Sequence, residues 1–287
     1  MDIIFIDGGL GNQMSQYALA LNRRKNGNRG LLANRCRLHN GYELDSVFGI
    51  SRPSKIQSTF CLTLMYLFSI KCIGGFIRRL LNKIGVSLIS ESYHYGYNES
   101  IVKHSKGLVT IYYGGWHHWK YIENVRSEVQ QAFSFPNFLN ARNSELCKSI
   151  DWQNSIAIHI RRGDYMDPKN YEMFGIVCSE GYYKSAIEKM AKDVQHPTFY
   201  VFSNDIEWAK GLLEGYNYVC VDWNTGKSSW EDMALMSNFK NIIIANSTFS
   251  WWAAWLGREN KNVICPSYLI NNDKASDIYP ENWIHLK

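Results

Sequence analysis

The second half of the chain alternates short apolar runs with longer amphipathic segments. The apolar runs are SIAIHI, TFYVFS, YVCVDW, IIIAN and NVICP, and segments with helical periodicity, such as YYKSAIEKMAK and WEDMALMSNF, separate them. Strands that are apolar throughout and alternate with helices are typical of a parallel sheet covered on both faces. The pattern therefore predicts a Rossmann-like α/β domain over residues 150–287.

The first half of the chain opens in the same way and then becomes irregular. DIIFI (2–6) predicts a strand, GGLGNQ (8–13) a tight turn, and QMSQYALALNRR a helix. LVTIYYGGW (108–116) predicts a further strand, whereas residues 34–100 show no assignable pattern. We therefore expect a second α/β domain with a less regular interior.

A polar stretch after Pro136 is predicted to link the two halves. A length of 287 residues also favours two domains, since a domain averages roughly 150 residues. The predicted domains are residues 1–145 and residues 146–287.

Residues 60–85, FCLTLMYLFSIKCIGGFIRRLLNKIG, are the most apolar stretch of the chain. Lys71 interrupts the stretch, which leaves it short of the roughly 20 apolar residues that a membrane span needs. A buried helical hairpin is the simpler interpretation. The alternative is a peripheral membrane segment in which Arg78, Arg79 and Lys83 face anionic lipid.

Composition and charge narrow the range of partners. Ten Trp and eighteen Tyr are more than packing usually requires, and such residues often line sugar or base pockets. A net charge of +5 favours anionic ligands or an anionic membrane surface. Nucleic acid is disfavoured because the basic pairs at 23–24, 78–79 and 161–162 fall in separate elements and no nucleic-acid-binding module is recognisable.

The cysteines and the N-terminus favour a cytoplasmic protein. Seven cysteines are scattered without a C-x-x-C pair, which is typical of reduced thiols in a cytosolic protein. MDIIFIDGG has no basic region before its apolar residues and predicts a strand rather than a signal peptide.

Polar residues follow four of the predicted strands. They lie in the segments DGGLGNQ, HIRRGD, FSND and ANSTFS. Ligands of open parallel sheets bind outside the carboxyl ends of the strands. Since all four sequences lie at such ends, we expect them to line a binding cleft.

The residue types at these ends suit a diphosphate. Arg161 can hold phosphate oxygens bidentately, and Asp164 either orients Arg161 or acts on its own. A glycine turn and a Ser/Thr-rich turn, each before a helix, let backbone N–H groups approach an anion. The simpler interpretations are a structural ion pair, a tight βα turn and ordinary N-capping.

Metal-binding patterns are missing from the sequence. There is no H-x-x-x-H, C-x-x-C or D-x-D, and Glu43 and Asp45 are the nearest approach to a diacid motif. Without a metal, arginine and helix N-termini would have to neutralise a bound diphosphate.

These same residues resemble a known motif set. GGLGNQMSQYA, HIRRGDY, FSND and ANSTFSWWAAWLG are similar, in order, to the motifs of bacterial α1,2-fucosyltransferases from residue 6 to about residue 257. The resemblance implies a GT-B-like α/β fold of two Rossmann-like lobes, with an acceptor-side N-terminal lobe and a GDP-fucose-binding C-terminal lobe. It implies no metal, no cofactor, and inverting transfer of L-fucose to the 2-hydroxyl of a galactose-containing glycan. Ser15 stands where the family usually has phenylalanine.

The resemblance also implies roles for individual residues. Arg161 would contact the donor phosphates, and Asp232 would bind the guanine edge. Asp164 would be the general base, with Asp167 and Glu172 as alternatives, unless the mechanism is dissociative and needs little base. The donor-binding positions are Gly11, Asn12, His159, Arg161, Ser203, Asp205, Asp232, Asn246, Ser247, Thr248, Phe249 and Ser250.

Two other functions fit the same motifs. One is a fucosyltransferase of different linkage, which shares H-x-R-R. The other is a non-catalytic protein that binds a GDP-sugar without turnover. The predicted location is cytoplasmic, with a peripheral position on the inner face of the membrane as the alternative.

Overall fold

The computed structural model describes residues 1–68, 74–92, 94–103, 107–257, 261–272 and 278–286. They form two compact units, Met1–Ser134 and Phe135–Lys287. The predicted interruption at Lys71 lies outside the described residues.

The first unit contains four strands and six helices within its described residues. In chain order they are β1 (Asp2–Ile6), α1 (Leu10–Lys25), β2 (Gly30–Asn34), α2 (Leu44–Phe48), α3 (Lys55–Leu67), α4 (Gly74–Lys83), β3 (Val86–Ser90), β4 (Val109–Tyr113), α5 (Lys120–Glu123) and α6 (Arg126–Ala132). All strands are parallel, in the order β2-β1-β4-β3. β1 and β4 are therefore neighbours in the sheet, although β2 and β3 lie between them along the chain.

Helix α1 begins earlier than the sequence predicts. Residues 10–13 were expected in a turn but form the first turn of the helix, where the N–H groups of Asn12 and Gln13 donate to the Gly9 carbonyl oxygen. The tight turn is confined to Asp7–Gly9, and Gly8 has the φ of +78° that favours glycine. The Gln13 side-chain amide donates to the carbonyl oxygens of Gly8 and Gly41 and so fixes the turn.

The buried-hairpin interpretation of residues 60–85 is wrong for the residues that the structure describes. Helix α3 packs on the sheet through Cys61 and its half-buried neighbours, but Phe60 is 58% exposed. On α4, Phe76 is 73% and Leu80 51% exposed. A sheet covers only one face of each helix that packs on it, so the other faces of α3 and α4 stay exposed. No helix in the described parts of the chain is long and apolar enough to cross a membrane.

The second unit is a six-stranded sheet with helices on it. Its elements are α7 (Ala141–Ser149), β5 (Ser155–Ile160), α8 (Pro168–Asn170), α9 (Glu180–Asp193), β6 (Thr198–Ser203), α10 (Ile206–Leu212), β7 (Asn217–Val221), α11 (Trp230–Ser237), β8 (Asn241–Ile243), α12 (Thr248–Trp255), β9 (Asn262–Pro266) and β10 (Ile284–Leu286). Strands β5, β6 and β9 match the predicted strands residue for residue. The α/β class with two parallel sheets is confirmed.

The strand order of the second unit is β10-β9-β8-β5-β6-β7, and all pairs are parallel. This is the strand order of the dinucleotide-binding fold, in which the crevice lies where the order reverses. Here that point is between β5 and β8. The core beneath it packs β5 and β6 against α9, with Ile158, Val201, Tyr183 and Ile187 fully buried.

The second unit begins before residue 146. Asn143 on α7 is completely buried, and its side-chain amide donates to Asn224 and Glu231 of the same unit. The boundary between the compact units accordingly follows Ser134. The polar residues after Pro136 include the start of α7 and are only in part a connecting loop.

Candidate active site

Three of the polar strand ends meet at the carboxyl edge of the second sheet. The Arg162 N–H donates to the Asn204 side-chain oxygen at 2.9 Å, which joins the ends of β5 and β6. The Tyr165 hydroxyl donates to the Asn246 carbonyl oxygen at 3.3 Å, which joins the ends of β5 and β8. The expected convergence is therefore present within this unit. The fourth strand end, with Gly11 and Asn12, belongs to the first unit.

Arg161 is held by two neighbours and stays accessible. Its Nη2 lies 2.7 Å from Asp164 Oδ1, and its guanidinium carbon lies 5.4 Å from the centre of the Tyr165 ring. One third of the side chain, 33%, is exposed. A guanidinium in this position is oriented in advance to bind an oxyanion.

The three base candidates of the second unit are all solvent-exposed. Asp164 engages Arg161 through Oδ1 and is 47% exposed, so it is placed to orient the arginine. Asp167, just before α8, and Glu172, just after it, are also exposed.

His159 is a buried, neutral histidine at the end of β5. Its ring centre lies 5.8 Å from that of Phe249, and burial together with the charge of Arg161 lowers its pKa to about 3. Within the described residues its Nδ1 is shielded from solvent and has no hydrogen-bond partner. A buried polar atom without a partner is costly unless a ligand satisfies it.

The Ser/Thr-rich turn after β8 serves mostly to build the edge. The Ser247 hydroxyl accepts from the Phe249 N–H and caps α12, where Thr248 is the first residue. The Ser250 hydroxyl is buried and donates to the Ala245 carbonyl oxygen. The Ser247 and Ser250 hydroxyls are thus engaged within the protein. The backbone N–H groups in the first turn of α12 are the groups of this segment that suit an anion.

Asn246 is buried and bridges neighbouring loops. Its side-chain amide donates to the carbonyl oxygens of Phe174 and Leu269, both at 3.1 Å. Its Oδ1 has no partner in the part of the chain that the structure describes.

Ser203 and Asp205 organise the end of β6. The Ser203 hydroxyl accepts from the Asp205 N–H at 2.9 Å. Asp205 caps α10 through Oδ1 and pairs with Arg162 at 3.0 Å through Oδ2. Arg162 also stacks over Trp208 at 4.1 Å, so this second arginine connects the ends of β5 and β6.

Asp232 lies in a buried polar network on α11. Its Oδ1 accepts from the Asn224 amide at 2.7 Å, and burial raises its pKa to about 7 despite that bond. Next to it, Glu231 is fully buried and accepts from Asn143 and from the Asn140 N–H. In the sequence, this network is indicated by Glu231 next to Asp232, two carboxylates on an otherwise apolar helix.

A family model for glycosyl transferase family 11 matches residues 81–287. The chain is also 33% identical to an α-1,2-colitosyltransferase of Escherichia coli, over 98% of this chain and 97% of that protein. The chain belongs to glycosyl transferase family 11. It is therefore a glycosyltransferase.

Two further relatives of this glycosyltransferase match over shorter stretches. The O-antigen biosynthesis glycosyltransferase WbnK of E. coli is 37% identical over 52% of the chain and 49% of that protein. Galactoside α-(1,2)-fucosyltransferase 1 of Ateles belzebuth is 24% identical over 48% of the chain and 40% of that protein. The resemblance to α1,2-fucosyltransferases is thus confirmed at the level of the family.

The fold of this family 11 member is also found in a solved structure. NodZ α-1,6-fucosyltransferase, soaked with GDP-fucose, matches with a TM-score of 0.51 at 14% identity, over 89% of this chain and 92% of that one. At this identity the match concerns the fold, and it agrees with the α/β, GT-B-like class expected for a glycosyltransferase.

The glycosyltransferase shows no metal-ligand cluster in its described parts. No group of three or more His, Cys, Asp or Glu side chains there is placed to hold an ion.

Sequence reasoning missed a second polar cluster, at the carboxyl edge of the first sheet of the glycosyltransferase. It consists of Glu91 after β3 and Gly114–His118 after β4. Glu91 follows a stretch with no assignable pattern, and only the pairing of β3 with β4 brings it beside the loop after β4.

Proposed function

We propose that this protein transfers L-fucose from GDP-fucose, with inversion, to the 2-hydroxyl of a galactose-containing glycan, such as a precursor of a surface polysaccharide. The observation that carries the proposal is the joined edge of β5, β6 and β8 in a family 11 chain. There Arg161 is braced by Asp164 beside the unpartnered Nδ1 of His159.

The proposed donor chemistry needs positive charge at a leaving diphosphate. As the bond from the fucose anomeric carbon to GDP breaks, charge grows on the phosphate oxygens. Arg161 and the N–H groups that open α12 would stabilise that charge. His159 would form one hydrogen bond to the donor through Nδ1. The Asp232 carboxylate would accept hydrogen bonds from the guanine edge. No metal or cofactor takes part in this scheme.

A specific observation favours a second donor sugar. One relative that is similar over almost the whole chain is a colitosyltransferase. Colitose is fucose without its 3-hydroxyl, so the two donors differ by one hydrogen-bonding group. A site built to bind that hydroxyl rejects the deoxy sugar by as much as about 10⁴-fold, whereas a site that leaves it in solvent accepts both.

One assay separates these functions. Purified protein is incubated with GDP-fucose or GDP-colitose in EDTA, with and without lactose as a galactoside, and release of GDP is measured. We expect release that depends on the galactoside, and a product with a 1,2 linkage by NMR. GDP-sugar binding without turnover would instead indicate a binding protein, and a product with another linkage would overturn the regiochemistry. Loss of activity in EDTA would overturn metal independence.

We further propose that the glycosyltransferase contacts an anionic membrane surface from the cytoplasmic side through α3 and α4. Phe76, Leu80 and Ile84 recur at intervals of four residues and are exposed. Residues 55–84 carry five Lys or Arg and no Asp or Glu. Exposed apolar side chains next to basic ones match an interface of apolar chains and anionic headgroups.

Membrane contact is tested by co-sedimentation with vesicles. We expect the wild type to bind vesicles that contain phosphatidylglycerol and not vesicles of phosphatidylcholine alone. The double variant Phe76→Ser/Leu80→Ser should bind about tenfold more weakly, because it loses two apolar side chains. Leu139→Ser, at an exposed apolar position of the second unit, is the matched control. A wild type that stays in the supernatant with anionic vesicles would refute the contact.

A further inference from the structure

Helix α11 begins at the carboxyl edge of the second sheet, because it follows the end of β7. Asp232 lies in the first turn of this helix and is half-buried. The same edge carries Arg161, at the end of β5, and the start of α12, which packs against α11. Asp232 is therefore on the same edge, within the same unit, as the groups proposed to hold the diphosphate.

Only one oxygen of the Asp232 carboxylate is engaged within the described residues. Asn224, in the loop after β7, donates from Nδ2 to Asp232 Oδ1 at 2.7 Å. Asp232 Oδ2 has no hydrogen-bond partner among the described residues, and the side chain is half-buried rather than enclosed. One carboxylate oxygen is thus fixed by the protein, and the other is left for a ligand.

Asn224 is held in turn by Asn143 on α7. The two side-chain amides pair reciprocally, because Asn143 Nδ2 donates to Asn224 Oδ1 at 2.9 Å and Asn224 Nδ2 donates to Asn143 Oδ1 at 3.1 Å. Both side chains are buried. With the bond to Asp232, both N–H groups of the Asn224 amide have a partner.

Two neighbours of Asn143 decide which way these amides face. The indole N–H of Trp223, which can only donate, donates to Asn143 Oδ1 at 2.7 Å. On the other side, Asn143 Nδ2 donates to Glu231 Oε2 at 2.8 Å. A flipped Asn143 amide would place its N–H groups against the indole N–H, so its orientation is fixed. Asn224 then turns its own N–H groups towards Asn143 Oδ1 and the Asp232 carboxylate.

A carboxylate held in this way matches the Watson–Crick edge of guanine. That edge carries two adjacent donors, the N1–H and the 2-amino group, and a carboxylate accepts from both. Adenine presents an acceptor at N1 instead, and so opposes the carboxylate. A site built to bind a given N–H group rejects strongly a ligand that lacks it.

We propose that Asn224, fixed by Asn143, is a positioning residue that orients the Asp232 carboxylate and thereby selects guanine over adenine in the donor nucleotide. This inference rests on the proposed function, in which Asp232 binds the guanine edge. Arg161 holds the diphosphate whichever base is attached. The amide pair therefore governs the choice of nucleotide, and its loss affects GDP more than ADP.

The bond from Asn224 also favours the ionised form of Asp232. Burial is the largest of the causes that raise the pKa of Asp232 to about 7; the charges of Glu231 and Asp222 add to the rise, and the Asn224 bond opposes it. Helix α12, which packs against α11, carries no titratable side chain. The titratable groups of the other segments packed on α11 are Arg142, Glu145, Cys147 and Lys148 of α7 and Lys227 of the preceding turn.

Asn224→Ala tests the positioning role through equilibrium binding of GDP and ADP to the full chain. We expect the Kd for GDP to rise about tenfold at pH 7 and the Kd for ADP to change by less than about twofold. A variant that was merely less stable would lose both nucleotides alike. Asn238→Ala is the matched control, because Asn238 lies at the other end of α11 and donates to the Ala234 carbonyl oxygen. It should keep the wild-type preference for GDP.

The pH dependence of this preference gives a second readout. The ratio of the two Kd values cancels the titration of the phosphates, which GDP and ADP share. Wild-type preference for GDP should fall as the pH drops below about 7, because Asp232 then takes up a proton. In Asn224→Ala the fall should begin at a higher pH, because the bond that stabilises the carboxylate is gone. Asn224→Asp keeps the shape of the side chain and should move the fall higher still, since it places a second carboxylate beside Asp232.

The outcomes separate this inference from the proposed function. A preference for GDP that stays at the wild-type value in Asn224→Ala and Asn224→Asp, at every pH, would overturn the positioning role and leave the guanine donor standing. Equal losses of GDP and ADP in both variants would also overturn it. A wild type that binds GDP no more tightly than ADP would overturn the proposed donor itself.

Discussion

Arg161→Ala is expected to lower transfer from GDP-fucose by about 10³-fold. The guanidinium is the accessible cation at the end of β5, held by Asp164 at 2.7 Å and stacked near Tyr165. Without a metal in the proposed scheme, it carries much of the stabilisation of the leaving diphosphate. The alanine variant also leaves Asp164 as an unpaired negative charge beside the same oxygens. Steady-state release of GDP, with saturating acceptor, measures the effect.

Two further variants separate direct contact from long-range attraction. Arg161→Lys keeps the charge but lacks the planar pair of donors, and is expected to recover only part of the activity. Lys169→Ala removes a positive charge from an exposed position in α8, the short helix that follows the end of β5, and should change kcat by less than about twofold. Near-wild-type turnover of Arg161→Ala would contradict the proposed donor site.

Arg23→Met is expected to destabilise the first unit by about 3–5 kcal/mol. Arg23 Nε lies 2.6 Å from Asp2 Oδ2, and both side chains are 1% exposed. The guanidinium also donates to the carbonyl oxygens of Ile101 and Lys103 and lies 4.6 Å from the centre of the Tyr112 ring. Its removal takes the guanidinium away from a buried carboxylate and from these two carbonyl oxygens.

Amide hydrogen exchange of β1, read by mass spectrometry, reports this effect on the first unit separately. A loss of about 3–5 kcal/mol corresponds to roughly 10²- to 4 × 10³-fold faster exchange, because each 1.4 kcal/mol is a factor of ten. Lys25 lies on α1, as Arg23 does, and forms an exposed ion pair with Glu128 of α6. Lys25→Met should therefore cost less than about 1 kcal/mol. Equal exchange rates in Arg23→Met and the wild type would show that the buried pair does not stabilise the sheet.

The second unit was more predictable than the first for a physical reason. Strands β5, β6 and β9 are almost wholly buried, so their residues are apolar throughout and their limits coincide with the limits of the pattern. In the first unit, α3 and α4 lie on a small sheet and expose apolar residues such as Phe76. In α4 the apolar residues recur with helical periodicity on the exposed side, so the pattern alone does not show which face of the helix packs on the sheet.

The sequence by itself determined which residues follow each strand, and therefore that Arg161, His159 and the Ser247–Ser250 turn lie at carboxyl ends. Only the tertiary structure decided which of those ends are neighbours. The order of the second sheet brings β8 beside β5, so that residues 85 positions apart meet, as Ile156 and Asn241 do in the register. Likewise, only the pairing of β3 with β4 places Glu91 under the N–H groups of Gly115 and Trp116. Local periodicity reports the burial of each segment, whereas strand order and unmet hydrogen bonds depend on packing between segments far apart in the chain.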